Sequence, residues 1–231
     1  MKSCLSGSVT RVAIAYLAAI VFLVPGLSGS AQSRGPAQAA KTTIEYSRDA
    51  DDLIISYTLS IGEIAESDRG PRLQIFGDGF AYVHYPVYMT KAGEYGIQLS
   101  DNEMLTLLES LVADGVVEFD TAGTRETLNE IDTYRRENEG VLHYVSDPSV
   151  TVIEVNLVSY SPTHSPGLQQ ADVSKTLRWS GLEADAMQYP DYLPIQNLAS
   201  AERGLRAFME RTDLVKLDVQ VPLVAPVPGS D

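Results

Sequence analysis

Cysteine is almost absent from this 231-residue chain: Cys4 stands alone, ahead of the first apolar run. A lipid-anchoring cysteine would directly follow that run, so Cys4 is not placed for lipidation. It lies in a segment that reads as a cleavable leader, so the mature chain is expected to carry no thiol. Disulfides, thiolate nucleophiles and cysteine metal ligands are thereby excluded. Basic residues are also scarce, with 17 Lys and Arg against 31 Asp and Glu and a formal charge of −14. Such a surface repels phosphate backbones and anionic head groups, which argues against nucleic-acid partners and adsorption to a bilayer. It favours solubility without naming a partner.

Motifs for the common chemistries are missing as well. No H-E-x-x-H exists for zinc, and neither G-x-S-x-G nor S-x-x-K joined to K-T-G is present for a serine nucleophile. The G-x-G at Gly77-Asp78-Gly79 is followed by a strand pattern, whereas a phosphate loop needs a helix N-terminus there. No cofactor is expected. Asp49, Asp51 and Asp52 form the densest acidic cluster, but the glycine and glutamate spacing of an EF-hand loop is lacking. They read as solvated acids ahead of the first strand, with an irregular calcium site as the alternative. No metal site is predicted.

What is present begins with the leader. Lys2 and Arg11 precede residues 12–24, VAIAYLAAIVFLV, a run of thirteen residues without charge. Pro25-Gly26 ends the run, and Ser28-Gly29-Ser30-Ala31 supplies small side chains. Basic, then apolar, then small is the order of a secretory signal peptide. A lasting membrane span needs ~20 apolar residues to cross ~30 Å of hydrocarbon, so no stable insertion is expected. Gly29 and Ala31 meet the small-residue requirement for cleavage after Ala31; a buried N-terminal helix is the competing reading. The leader holds Lys2 and Arg11 and no acid, so its removal takes the formal charge from −14 to −16. A periplasmic or secreted bacterial product follows, since an exported chain without disulfides leans that way.

Downstream, residues 32–43 read as a disordered spacer, 44–221 as one α+β domain and 222–231 as a Pro-rich tail. Strands are expected at 53–59, 72–76, 80–85, 95–99, 116–119, 141–145, 149–160, 176–179 and 214–221. Gly77-Asp78-Gly79 tolerates the positive φ of a tight turn, so 72–85 reads as a hairpin. Alternation places Leu73 and Ile75 on one face, with Ala81, Val83 and Tyr85 sharing a face and Tyr82 and His84 opposite. Ser100-Asp101-Asn102-Glu103 is a capping box, starting a helix whose Met104, Leu107, Leu108 and Leu111 form an apolar stripe and which Gly115 ends. A second helix is expected at 124–139 with Leu128, Ile131 and Tyr134 inward, and a third at 200–212 with Leu205, Phe208 and Met209 inward. Residues 161–172 read as a loop, and Pro190 and Pro194 as brackets of an irregular stretch. The pattern at 111–120 echoes that at 209–218. A duplication with halves 44–140 and 141–221 would explain it, as would convergence of helix-to-strand junctions.

Antiparallel strands with two or three amphipathic helices packed on the sheet are therefore expected. No catalytic residue is identified. His84 and His143 fall in expected strands and His164 in a loop, none beside a recognisable partner. Among twelve tyrosines, Tyr82, Tyr85 and Tyr88 cluster at the hairpin, and Tyr189 and Tyr192 accompany Trp179. Tyrosine joins a flat apolar body to a hydroxyl, so these six residues are the expected ligand or partner face; strand propensity alone would also place tyrosine there. The expected role is non-catalytic binding of an unknown protein or small ligand. A hydrolase using carboxylate or histidine acid/base chemistry is the alternative.

Overall fold

Around the Gly77-Asp78-Gly79 turn, a computed structural model of the protein forms the hairpin at the middle of its sheet. The structure describes residues 43–61, 70–140, 147–162 and 168–218. The expected leader, most of the expected spacer, the expected strand at 141–145, His143, His164 and the expected tail lie outside them. Strand β3 (Leu73–Phe76) meets β4 (Phe80–Tyr85) in the register Leu73 with Val83 and Ile75 with Ala81. Gly79 sits at φ +86°, where a side chain is strained. At Gly77, a Cβ would lie 2.3 Å from the Asp49 carbonyl and 2.5 Å from that of Ser47. Glycine lets the preceding loop close over the turn.

The remaining elements build outward from this pair. They are β1 (Thr43–Glu45), β2 (Leu53–Ser60), β5 (Gly93–Gln98), α1 (Asp101–Ala113), α2 (Thr121–Asn138), β6 (Val150–Ser161), β7 (Gln170–Ser180), α3 (Leu182–Gln188), α4 (Leu193–Met209) and β8 (Val215–Lys216). The strands form one eight-stranded sheet in which every pairing is antiparallel. β7 follows one edge of β6 from Val150 to Tyr160, so β2 and β1 share the other edge end to end. β3, β4, β5 and β8 follow β2 in that order.

One sheet face carries the apolar core. Ile153 and Val155 of β6, Ile55 and Tyr57 of β2, Leu73 and Ile75 of β3, and Ala81 and Val83 of β4 line it by register. They join one buried cluster with Met104, Leu108 and Leu111 of α1 and Ile195, Leu198, Leu205 and Met209 of α4. Covering this face with helices is what makes the chain α+β. Ser100 caps α1: its hydroxyl accepts from the Glu103 N–H, and the Glu103 carboxylate accepts from the Ser100 N–H at 2.9 Å. Gly115 ends the helix at φ +74°.

Several expectations change. Residues 116–119 form turns rather than a strand; Val116 and Phe119 are buried in the core, so burial rather than pairing accounts for their apolar character. This segment therefore lacks the strand that follows α4. α2 starts at Thr121, three residues early, with Asp120 as cap accepting from the Gly123 N–H. Its Tyr134 points outward, 62% exposed, while the neighbouring Arg135 guanidinium lies over the Tyr189 ring. β7 reaches back to Gln170, into the expected loop, because β6 supplies a complete ladder for it. The stretch bracketed by Pro190 and Pro194 contains the first turn of α4, where Pro194 needs no N–H donor. α3 lies just ahead of it.

Candidate functional site

The face of the sheet opposite the core is polar yet buried. Strand alternation puts Ser56, Gln74 and Tyr82 side by side there, with Glu154 and Gly96 at the ends of the row. Ser56, Gln74, Tyr82, His84 and Arg72 are all buried. Burial raises the Glu154 carboxyl above its ordinary value. In the adjacent row His84 pairs with Glu94 across β4 and β5, while the His84 N–H donates to the Arg72 carbonyl at 2.9 Å. The Glu94 carboxylate then holds two neighbours at once: His84 Nδ1 lies 2.9 Å from Oε1, and the Tyr82 hydroxyl donates to Oε2. Burial, followed by that bond to Glu94, pushes the Tyr82 phenol above its ordinary value.

Arg72 stands beside this group without sharing it. Its Nε and Nη2 reach the Leu59 carbonyl, both at 3.4 Å, and Nη2 also donates to the Tyr88 hydroxyl at 2.9 Å. Nη1 is buried with no hydrogen-bond partner among the described residues. Tyr88 belongs to the β4–β5 loop, where Val87, Tyr88 and Met89 are 70%, 58% and 44% exposed. Three large apolar side chains in succession at a loop tip are thus turned to solvent.

A second polar group sits between the sheet and α4. Glu202 Oε1 accepts from the Tyr57 hydroxyl at 2.9 Å, Thr151 Oγ1 at 3.2 Å, and Arg206 Nε and Nη2 at 3.2 and 2.9 Å. Burial, then the Glu202 charge, raises the Tyr57 phenol. Next to it a cleft of about 280 Å³ opens between α3 and α4, lined by Glu183, Met187, Gln196, Glu202, Arg203 and Arg206. The Tyr57 and Thr151 donors tie β2 and β6 to α4 through Glu202 Oε1, while Arg206 supplies the counter-charge from one turn along the same helix, which is structural work.

The six expected aromatic residues divide between these regions. Tyr82 is buried on the outer face, and Tyr88 is exposed beside it. Tyr85 faces the core, with its hydroxyl donating to the Met209 carbonyl and its ring edge-on to Tyr95. Trp179 is buried edge-on to Phe119, and its Nε1 donates to Asp185 at 2.7 Å. The buried Tyr189 donates to Asp132 at 2.5 Å. Tyr192 is the half-buried cap residue of α4. Asp49, Asp51 and Asp52 organise the β1–β2 turn: Asp49 Oδ1 accepts from the Asp51 N–H at 3.0 Å, and Asp52 accepts from the Ser47 hydroxyl. Among the described residues, no group of three or more His, Cys, Asp or Glu is placed to hold a metal ion. No helix among them is long and apolar enough to cross a membrane.

Sequence reasoning missed Arg72, Glu94, Glu202 and Arg206. Glu202 carried a usable signal: it occupies an inward position in the α4 stripe of Ile195, Leu198, Leu205 and Met209, where a charge needs a partner. Arg72 and Glu94 carried none, since both look like ordinary strand-end charges. Compared with protein families, curated proteins and solved structures, the chain matches none.

Proposed function

We propose that the chain is exported by its leader to the periplasm or beyond and there acts as a non-catalytic binding protein. Its recognition face is the β4–β5 loop together with the outer sheet face beneath it. The supporting observation is the exposure of Val87, Tyr88 and Met89 directly beside the buried Arg72. Aromatic and methionine side chains are enriched at recognition surfaces, and a buried arginine below gives orientation. Of the six aromatic residues expected to form the face, Tyr88 is placed to touch a partner and Tyr82 to support it from below. A protein or small ligand fits this surface. The acidic charge of the chain disfavours nucleic acid.

The reading is tested with a triple variant, Val87→Ser, Tyr88→Ser and Met89→Ser, in which all three positions are exposed. It should keep the wild-type melting profile and lose capture of a component from cell-envelope extract. Capture at the wild-type level would refute the face. Export is tested by sequencing the N-terminus of the cell-derived protein, which should begin near Gln32.

A second reading, acid/base hydrolysis, is favoured by one geometry: His84 Nδ1 lies 2.9 Å from the Glu94 carboxylate. Such a pair orients an imidazole for proton transfer. The exposed Val87, Tyr88 and Met89 have no counterpart at this pair, since His84 is itself buried, which favours binding over turnover. Hydrolysis of an ester, peptide or glycoside panel that disappears in His84→Gln would reverse that preference.

A further inference from the structure

We propose that Arg72 and Tyr88 form a clamp for a carboxylate group, an inference that rests on the loop being the recognition face. Arg72 is 4% exposed, and its guanidinium is always charged, so burial cannot be relieved by loss of a proton. No ion pair joins it to any described acid: the Glu94 carboxylate is engaged by His84 and Tyr82. A buried cation with no counter-charge among the described residues, and with an unpaired Nη1, is costly to fold. The other buried described charge, Glu202, has its Arg206 partner at 2.9 Å. Arg72 therefore keeps a donor that no described residue satisfies.

Tyr88 supplies the second donor. Its hydroxyl oxygen accepts from Arg72 Nη2 at 2.9 Å, which leaves its own proton directed away, with no acceptor among the described residues. Arg72 Nη1 and the Tyr88 O–H are thus two donors without an acceptor among the described residues, linked through Nη2 of the same guanidinium, and two oxygens of one carboxylate would satisfy such a pair. The Tyr88 ring centroid is 5.9 Å from the guanidinium carbon, and the ring is exposed, so rotamer motion of this side chain opens the fork from the solvent side. Val87 and Met89 flank it and would cover the ligand's carbon chain. A single negative charge suits the site better than a dianion, because the surrounding chain is acidic and Glu94 is close by in the same row.

Calorimetry on the full chain tests this with four probes: octanoate, octanamide, N-acetyl-Ala-Leu-Leu with a free terminal carboxylate, and the same peptide as its amide. At least one carboxylate should bind, and its amide counterpart should bind at least tenfold more weakly. Binding of octanoate alone would assign the site to small free acids; binding of the peptide alone would assign it to chain termini. Tyr88→Phe removes one hydroxyl from a residue that is 58% exposed, with its melting profile as the check on folding; it should weaken binding about tenfold, and Arg72→Lys should weaken it further. Carboxylates that bind no better than amides, or a Tyr88→Phe variant that binds as wild type, would overturn the clamp whether or not Arg72→Lys folds. Should the triple loop variant lose envelope capture while no carboxylate binds, the clamp falls and the recognition face stands.

Discussion

On the helix side of the sheet, Glu202 is 4% exposed and its Oε1 accepts from Tyr57, Thr151 and Arg206. On the outer side, Arg72 is equally buried, yet among the described residues Nη1 meets no acceptor and the rest of its head finds only a distant carbonyl and one hydroxyl. Burial alone therefore does not separate the two charges. Satisfaction does. A carboxylate surrounded by donors from β2, β6 and α4 holds the layers together, whereas a guanidinium left with an open N–H lowers stability and gains only when an acceptor arrives. The same contrast runs through the aromatic residues: Tyr85 and Tyr189 spend their hydroxyls on internal acceptors, while the proton of Tyr88 has none among the described residues.

The comparison breaks most visibly at Glu202. Glu202→Leu should lower stability by about 2–4 kcal/mol in urea unfolding, because it strands the Tyr57 and Thr151 donors and the Arg206 charge. A neutral outcome would remove its structural role. Tyr82→Phe on the outer face deletes the bond to Glu94 and should cost about 1 kcal/mol, with the His84–Glu94 pair retained. Arg72→Met should go the other way, leaving stability unchanged or raised by less than about 1 kcal/mol, since it removes an unsatisfied buried charge. A loss there comparable to that of Glu202→Leu would make Arg72 structural and erase the distinction between the faces.

The smallest effect concerns a charge on neither face. The Ser100 N–H and hydroxyl, followed by Arg211, hold the Glu103 carboxyl down to about 2. A depressed folded-state value means that the unfolded chain binds the proton first as pH falls. The stabilisation is present above the ordinary glutamate value and is lost as pH drops towards 2. Urea midpoints measured between pH 5 and 2 should fall with acidity, and Glu103→Gln should flatten that slope. An unchanged slope would show that the cap and the Arg211 pair carry no acid sensitivity.

Legibility followed the range of the forces involved. The hairpin and the start of α1 were readable because turn glycines and a capping box act within four residues of each other. β7 was readable only at 176–179, where Leu177 and Trp179 alternate into the core; its first residues are exposed and polar, and only pairing with β6 makes them a strand. The run Val116-Val117-Glu118-Phe119 misled for the opposite reason: its β-like composition is satisfied by burial in turns. Pro194 was read as a breaker, although a proline in the first turn of a helix is favourable.

The sequence by itself determined the near-absence of cysteine, the acidic field, the α+β class, the central hairpin and the capped α1. Each of these follows from composition or from neighbours along the chain. Only the tertiary structure decided which charges are buried and what they meet. Tyr57 and Glu202 are 145 residues apart and Arg72 and Tyr88 are 16 apart. Their encounter depends on strand register and on how α4 lies across the sheet. Hydrogen bonds are short-ranged and directional, so a partner, or the lack of one, exists only after the backbone has brought the two groups within about 3 Å.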